Sequence, residues 1–275
     1  MTKKFYLGQK ERKNLNDDFL KKELLYQLAD DDFLIAYRGS EWLGLAPHIE
    51  EDVAFSSINQ NTMGHASMYY QLLHELGCPS ADQLAHGRKA EERKNAILVE
   101  LPNGPGDYLK NPKYDWAFTV VRHYFYDVHK KVRLESLHHS SYEPLRALAQ
   151  KVLSEQHYHL LHWQTWFTQL MTSSEQARHK MKQAILTVWD EYDGLLSLGP
   201  YGEEMKKISL IDSYETLRDT TLQQLSQTFQ SVHYSLEEKP QATLGNGRNG
   251  EHTPYLTEAL FTLSEVYQTD PAANW

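Results

Sequence analysis

One stretch of the sequence, from Leu145 to Leu170, places chemically versatile side chains on a single face of a predicted helix. It contains no Pro or Gly, and Glu155, His159, His162 and Trp166 follow one another at i, i+4, i+7 and i+11. This spacing puts the four side chains on one stripe. A carboxylate and two imidazoles on such a stripe are how a helix bundle presents metal ligands to its core. The stripe therefore raises the hypothesis of a metal site.

A di-iron site of the ferritin-like kind needs six ligands: a Glu from each of two helices and a Glu-x-x-His from each of the other two. The i, i+3 spacing lets both side chains of that motif reach metal ions from one helix face. The sequence contains one match, Glu135–His138. It lies at the end of a predicted helix, where a histidine near the negative end of the helix dipole is favoured without any metal. We therefore interpret this pair as a solvated helix terminus.

The other polar residues that are expected inside the bundle form a set that we call the polar seam. It consists of Glu41, Asn61, His65, His123, Asp127, Glu155 and His159. The set is short of carboxylates, and Arg38 adds a cation beside it. Tyr158 stands where a Glu-x-x-His motif that begins at Glu155 would need histidine. We favour a buried hydrogen-bond and salt-bridge network without metal, because buried polar groups must find partners. An unusual metal site is the alternative.

Hydrophobic periodicity predicts the helices that would position the polar seam. Four long ones are predicted, from about residue 16 to 42, 50 to 76, 115 to 139, and 145 to 170. An N-cap cluster at Asn16-Asp17-Asp18 begins the first helix, in which Gly39 is expected to introduce a kink. Gly77, followed by Pro79, is expected to end the second. Further helices are predicted in the connector 80–94 and over 177–196, 212–234 and 254–267.

No stretch shows the alternating β-branched pattern that is typical of a strand. Four long helices with short or moderate connections predict an all-α fold, a ferritin-like antiparallel four-helix bundle with additional C-terminal helices. We expect one helical domain over residues 16–275, preceded by a flexible polar arm over 1–15. Within the domain, the glycine-rich segment 237–253 is expected to form a loop.

Composition restricts the classes of function. The formal net charge of −9 argues against a nucleic-acid surface, and no apolar run is long enough for a transmembrane helix. The N-terminus lacks the apolar core of a signal peptide, and a single cysteine, Cys78, fits a reducing cytoplasm. Basic clusters that include Arg88, Lys89, Lys130 and Lys131 could contact a phosphate-bearing ligand such as CoA, or a partner. Such clusters are more often solvated faces.

Segments spread along the chain resemble the C-subunit family of bacterial ring-1,2-phenylacetyl-CoA epoxidases, which act in phenylacetate degradation. They are EWLGLAP at 41–47 with Glu50 and Asp52, LVELPNG at 98–104, VRHYFYD at 121–127, Glu155 with YHL at 158–160, GEHTPYL at 250–256, and the terminal Asn274-Trp275. The order and spacing of these segments carry the resemblance, which extends from about Lys22 to Trp275.

The resemblance implies a ferritin-like subunit of a soluble multicomponent monooxygenase that epoxidises the ring of phenylacetyl-CoA. In that family a homologous catalytic subunit holds the di-iron centre and binds the CoA ester, while electrons come from NADPH through a separate reductase. The C subunit pairs with the catalytic one as a non-catalytic structural partner. The implied partners are thus the catalytic subunit, the other epoxidase subunits and the reductase, and the chain alone could form a homodimer.

This sequence departs from the family pattern at several positions. Residues 38–41 read Arg-Gly-Ser-Glu where a Leu-Gly-Glu order is expected, Asn61 replaces an Asp, and His65 replaces a Gln. The loss of a carboxylate at Asn61 weakens metal binding further, whereas His157 and His162 add imidazoles. The alternative function is an autonomous di-metal carboxylate oxidase or oxygenase that uses the polar seam for its ligands.

Overall fold

The computed structural model describes residues 16–106, 108 and 110–273. Four long helices, paired in antiparallel fashion, form its core: α1 (Asp17–Ser40), α2 (Ile49–Glu75), α5 (Trp116–Leu137) and α6 (Glu143–Thr172). Eight shorter helices complete this part of the chain: α3 (Ala81–His86), α4 (Ile97–Glu100), α7 (Glu175–Trp189), α8 (Tyr192–Leu196), α9 (Gly202–Lys207), α10 (Tyr214–Ser231), α11 (Pro254–Leu263) and α12 (Glu265–Thr269). The described residues contain no β-strand, and the predicted all-α, ferritin-like fold is confirmed.

The ends of the long helices follow local sequence signals. The Asn16 side chain accepts a hydrogen bond from the backbone N–H of Phe19 at 2.8 Å, which caps α1 as predicted. Gly77 adopts a left-handed conformation (φ 84°) directly after α2, and the N–H of Cys78 returns to the carbonyl of Leu73. Among the described residues, no helix is both long and apolar enough to cross a bilayer.

The C-terminal helices differ most from the predicted boundaries. The helix predicted over 177–196 breaks at Asp190 and Glu191, and the one predicted over 254–267 breaks at Ser264. The first break has a tertiary cause: the backbone N–H of Gln241 donates to the carbonyl of Trp189, and Glu191 accepts hydrogen bonds from the segment at 243–244. Helix α9 was not predicted. The predicted arm over 1–15 lies outside the described residues.

Three consecutive aspartates in the middle of α1 are completely or almost completely buried. Asp30 pairs with Arg88 and Arg93, Asp31 with Arg133 and Arg248, and Asp32 with Lys130. Burial alone would raise the pKa of Asp30, but the Arg88 and Arg93 guanidiniums outweigh it and lower that pKa to about 2. The acids stay charged in the interior because cations from later helices and loops neutralise them.

The glycine-rich loop over 237–253 is irregular, as predicted, apart from a short 3-10 turn (Gly247–Asn249). Arg248 projects from this turn into the interior, where it is fully buried. Its Nη1 and Nη2 atoms each donate to one carboxylate oxygen of Asp31 at 2.8 Å. This two-pronged ion pair attaches the loop to the centre of α1.

Gly39 lies where α1 and α2 approach each other closely. A Cβ atom on Gly39 would overlap the side-chain amide of Asn59, which is buried on α2. Helix α1 continues through Gly39 to Ser40, and therefore this glycine serves close helix packing rather than the kink that was expected. Gly64, in the middle of α2, is exposed, and apart from its chain neighbours and the adjoining turns of its own helix backbone, a Cβ there would meet no atom of the described chain within 4 Å.

We expect the two glycines to respond in opposite ways to the same substitution. Gly39→Ala should lower the free energy of unfolding by about 1–3 kcal/mol, because the added methyl group overlaps Asn59. Gly64→Ala should raise it by about 0.5–1 kcal/mol through better helix propensity. Urea unfolding of both variants beside the wild type measures the difference. Equal effects would contradict the close approach at Gly39.

Candidate functional site

The centre of the bundle holds an ammonium group. Nζ of Lys130, on α5, lies 2.7 and 2.8 Å from the two carboxylate oxygens of Asp32 on α1. It also lies 3.1 Å from Nδ1 of His65 on α2. The hydroxyl of Tyr126 donates to Asp32 at 2.5 Å. One lysine therefore joins three of the four long helices through a charged group that is almost completely buried.

The hydrogen bonds around Lys130 extend to the fourth helix, α6. Because the Lys130 ammonium donates to Nδ1 of His65, the proton of that imidazole sits on Nε2, which faces Oε2 of Glu155 at 2.9 Å. Nε2 of His159 lies 3.4 Å from the side-chain amide of Asn61. The Glu155 side chain is 38% exposed, and thus this chain of contacts reaches the surface between α2 and α6.

Both imidazoles are held neutral. Burial lowers the pKa of His65 to about 2, and the neighbouring Lys130 ammonium acts in the same direction. Burial and Lys130 likewise lower the pKa of His159 to about 3. A neutral imidazole can accept a hydrogen bond from the ammonium, which a protonated one could not do.

Asp127 is the second carboxyl group of the site, one helical turn before Lys130. Burial raises its pKa to about 7, although the Lys130 ammonium and the adjoining Gln156 amide favour the charged form. Its Oδ2 atom is buried without a hydrogen-bond partner in the part of the chain that the structure describes. Asp127 is therefore close to balance between its acid and its carboxylate at neutral pH.

The buried side of α6 shows that the position of a Glu-x-x-His motif begins at Gln156, one residue after Glu155. Tyr158 is 71% exposed and does not face the core, whereas Gln156 is fully buried and stands three residues before His159. On α2, buried Thr62 stands three residues before His65. The expectation that Tyr158 replaces a ligand histidine is therefore wrong. Both motif histidines are present, and the two motif glutamates are replaced by Gln156 and Thr62.

These positions reproduce the arrangement of a ferritin-like di-iron site without its chemistry. Asp32 on α1 and Asp127 on α5 supply the two single carboxylates, and α2 and α6 supply one imidazole each. Two carboxylates are missing, however, and a fixed positive charge lies between Asp32 and His65. Among the described residues, no three His, Cys, Asp or Glu side chains are arranged to hold a metal ion. This donor set does not fit two iron ions, which need carboxylates to neutralise their charge.

The structure brings together five of the seven residues of the polar seam: Asn61, His65, Asp127, Glu155 and His159. Glu41 lies elsewhere, where its carboxylate accepts from Arg38 at 3.0 Å and from Asn103 at 2.8 Å. His123 donates from Nδ1 to the carbonyl of Thr119 at 2.8 Å and packs its ring against aromatic side chains.

His162 and Trp166, the last two residues of the stripe that begins at Glu155, have a different partner, Glu51. Nε2 of His162 lies 3.0 Å from one oxygen of Glu51, and Nε1 of Trp166 donates to the other at 2.6 Å. Glu51 is almost completely buried at the start of α2. These two side chains therefore attach α6 to α2 and do not face Lys130.

Sequence reasoning missed the residues at the centre of the site. Lys130 stands in a basic cluster that resembles a solvated face, but its ammonium is buried against Asp32, and the Arg88 guanidinium is likewise paired with Asp30. Contact with CoA or a partner stays a prediction for these two side chains, although each is already paired with a buried aspartate. Lys89 is exposed and Lys131 is partly exposed beside Glu135, and ligand contact there stays a prediction. One sequence signal could have identified Asp32 as buried: apolar residues occupy every side of α1 around it.

Two neighbouring lysines allow a matched test of the central ion pair. Lys130→Met should lower the free energy of unfolding by about 3–5 kcal/mol, because it leaves the Asp32 carboxylate buried without its cation. Lys131→Met removes only a surface pair with Glu135 and should cost less than about 1 kcal/mol. Chemical denaturation at pH 7 measures both variants. Similar losses in the two variants would show that Lys130 is not the central cation.

The raised pKa of Asp127 predicts a pH-dependent contribution to stability. The unfolded chain ionises this group near pH 4, whereas the folded chain keeps the proton up to about pH 7. The favourable contribution of the bound proton is therefore complete below pH 4 and is lost as the pH rises through 7. Asp127→Asn, which mimics the neutral form, should gain about 2 kcal/mol relative to the wild type between pH 5.5 and 8.

The measurement is the difference in unfolding free energy between Asp127→Asn and the wild type across that pH range. Because the other titrating groups are common to both proteins, their contributions cancel in the difference. A difference that does not change with pH would mean that Asp127 ionises near its ordinary value.

Comparison with known proteins agrees with this geometry. Residues 7–275 match the model of the family described as phenylacetic acid catabolic protein. The chain is also 27% identical over 252 residues to the C subunit of 1,2-phenylacetyl-CoA epoxidase from Escherichia coli (strain K12), a match that covers 90% of this chain and 96% of that protein. Since the family model spans nearly the whole sequence, the chain belongs to the phenylacetic acid catabolic protein family.

Proposed function

We propose that this chain is a non-catalytic structural subunit of a multicomponent di-iron monooxygenase that epoxidises the ring of phenylacetyl-CoA in aerobic phenylacetate catabolism. The observation that carries the proposal is the Lys130 ammonium, which bonds to Asp32 and His65 in the middle of the bundle. Membership of the family and the similarity to the C subunit of an epoxidase support the pathway and the complex.

The chemistry of the site favours a structural role. A di-iron oxygenase needs carboxylates that bridge the two ions, and Gln156 and Thr62 stand where two of them would be. The remaining groups already bond to one another: Asp32 to Lys130, Lys130 to His65, and His65 to Glu155. A bundle of this kind holds its centre together without a metal ion.

The proposal assigns the oxygen chemistry to a homologous catalytic subunit. That subunit would hold the di-iron centre and bind the CoA ester, while electrons would come from NADPH through a reductase. The present chain would support the catalytic subunit by pairing with it. Of the four basic side chains that the sequence singled out, Lys89 is exposed and Lys131 is partly exposed, and both could contact CoA or a neighbouring subunit. We place the complex in the cytoplasm, where CoA esters and NADPH are available.

The test begins with the metal content of the chain and of the complex. The protein is expressed in iron-rich medium, alone and together with the homologous catalytic subunit of the same organism, and iron and manganese are measured by mass spectrometry. We expect metal in the complex and only trace metal in the chain alone. Near-stoichiometric metal in the chain alone, lost on substitution of His65 or His159, would instead support the autonomous di-metal oxidase.

Turnover in the assembled complex then separates a structural from a catalytic role. Asp127→Asn keeps the shape of the side chain but removes a carboxyl group whose pKa burial raises to about 7. We expect complexes with this variant to form normally and to epoxidise phenylacetyl-CoA at the wild-type rate. A large fall in kcat at unchanged assembly and stability would contradict the proposal.

A further inference from the structure

Asparagine is followed by glycine at Asn103, Asn246 and Asn249. Such a step is chemically labile, because glycine has no Cβ atom to shield its backbone nitrogen or to restrict its backbone. That nitrogen can therefore reach the side-chain Cγ of the preceding asparagine. The surroundings of the three asparagines differ, and these differences decide which of them reacts in the folded protein.

The reaction, deamidation, consumes one water molecule and releases one ammonia. The backbone nitrogen of glycine forms a bond to Cγ of asparagine, and the side-chain nitrogen leaves as ammonia with the proton that the glycine nitrogen loses. Water then opens the resulting succinimide ring at either of its carbonyl carbons, which gives aspartate or isoaspartate. Ring closure requires that the asparagine side chain turns toward the main chain into a near-attack geometry.

Asn103 cannot turn in this way. The residue is fully buried, and its Nδ2 atom donates to the carbonyl of Arg38 at 2.6 Å and to a carboxylate oxygen of Glu41 at 2.8 Å. Its Oδ1 atom accepts a hydrogen bond from the guanidinium of Arg122. Both ends of the amide are thus occupied, and ring closure at Asn103 has to wait for local unfolding of the core around it.

Asn246 is less buried, but the fold still uses its amide. The Oδ1 atom accepts a hydrogen bond from the backbone N–H of Arg248 at 3.1 Å. The following residue, Gly247, is buried, and a Cβ there would overlap the carbonyl of Asn95. Ring closure at Asn246 therefore has to break this turn and to move Gly247 away from its packing contact.

Asn249 is exposed, and its side chain makes no hydrogen bond within the part of the chain that the structure describes. The attacking nitrogen belongs to Gly250, which adopts a left-handed conformation (φ 80°). Its N–H donates to the carbonyl of Gly247 at 3.0 Å, and this one hydrogen bond has to open before the ring can close. Asn249 therefore has the lowest structural barrier of the three asparagines.

The turn that contains Asn249 also carries Arg248, whose guanidinium bonds to Asp31 in the interior. Isoaspartate at position 249 routes the main chain through the former side chain and lengthens it by one methylene group. The turn beside Arg248 then no longer closes with its present hydrogen bonds. Aspartate, in contrast, keeps the length of the main chain and adds only a charge at the surface.

We propose that Asn249 is a site of spontaneous deamidation, and that its isoaspartate product loosens the loop around Arg248. The reaction needs only the chain and water, and it is therefore independent of the proposed function.

The experiment follows each asparagine while the purified protein ages in mildly alkaline buffer at physiological temperature. Samples are digested, and mass spectrometry measures the conversion at each site and separates isoaspartate from aspartate by fragmentation. We expect Asn249 to react more than about 10-fold faster than Asn103, because Asn103 reacts only through local unfolding. In concentrated urea, where the fold is absent, the three asparagines should react at similar rates.

Two variants at position 249 separate the site from its consequence. Asn249→Gln blocks the reaction, because the longer side chain closes a ring far more slowly, and Asn249→Asp reproduces the aspartate product. Aged wild type should show faster hydrogen exchange over residues 245–251 than fresh protein, whereas aged Asn249→Gln and fresh Asn249→Asp should not.

Equal conversion of Asn249 and Asn103 in the folded protein, or an unreacted Asn249 after ageing, would overturn the assignment of the site. Conversion to isoaspartate without faster exchange over residues 245–251 would overturn the loosening of the loop.

Discussion

The ion pair between Lys130 and Asp32 is the interaction on which the centre of the bundle depends. A carboxylate in the interior is unstable unless a cation accompanies it, and the ammonium supplies that cation from the neighbouring helix. The same ammonium fixes the tautomer of His65 and thereby the direction of its hydrogen bond to Glu155. One charge and its acceptors thus link α1, α2, α5 and α6 in this layer.

The fold could be predicted from the sequence because its signals are local. Long apolar periodicities, the Asn16 cap and the Gly77 terminus each act within a few residues, and the long helices begin and end near the expected positions. The helix ends near Asp190 and Ser264 could not be predicted in this way. At Asp190 the segment that follows residue 237 bonds to the helix end, and this tertiary contact outweighs helix propensity.

The sequence predicts which residue types lie at the polar centre of the bundle, but it does not predict which side chains pair with one another. The polar seam included five residues that meet around Lys130, but a basic cluster in the sequence resembles a solvated face, and Lys130 was assigned to one. Asp30, Asp31 and Asp32 carried the missing information. Their apolar neighbours in the sequence, Leu28, Ala29, Phe33 and Leu34, occupy every side of α1, which indicates that the helix is buried all round. Acids in a helix that is buried all round require buried cations.

The loop that contains Arg248 has a consequence for how the protein is made. Asp31 lies in α1, yet one of its two cations stands more than two hundred residues later in the chain. The nascent bundle therefore carries an incompletely neutralised carboxylate until residue 248 has been synthesised. A truncated chain that ends before residue 248 never acquires this cation, and its Asp31 carboxylate stays incompletely neutralised. The helices around Asp31 would then open locally more often than in the full-length chain, and a cell could distinguish the two by that difference.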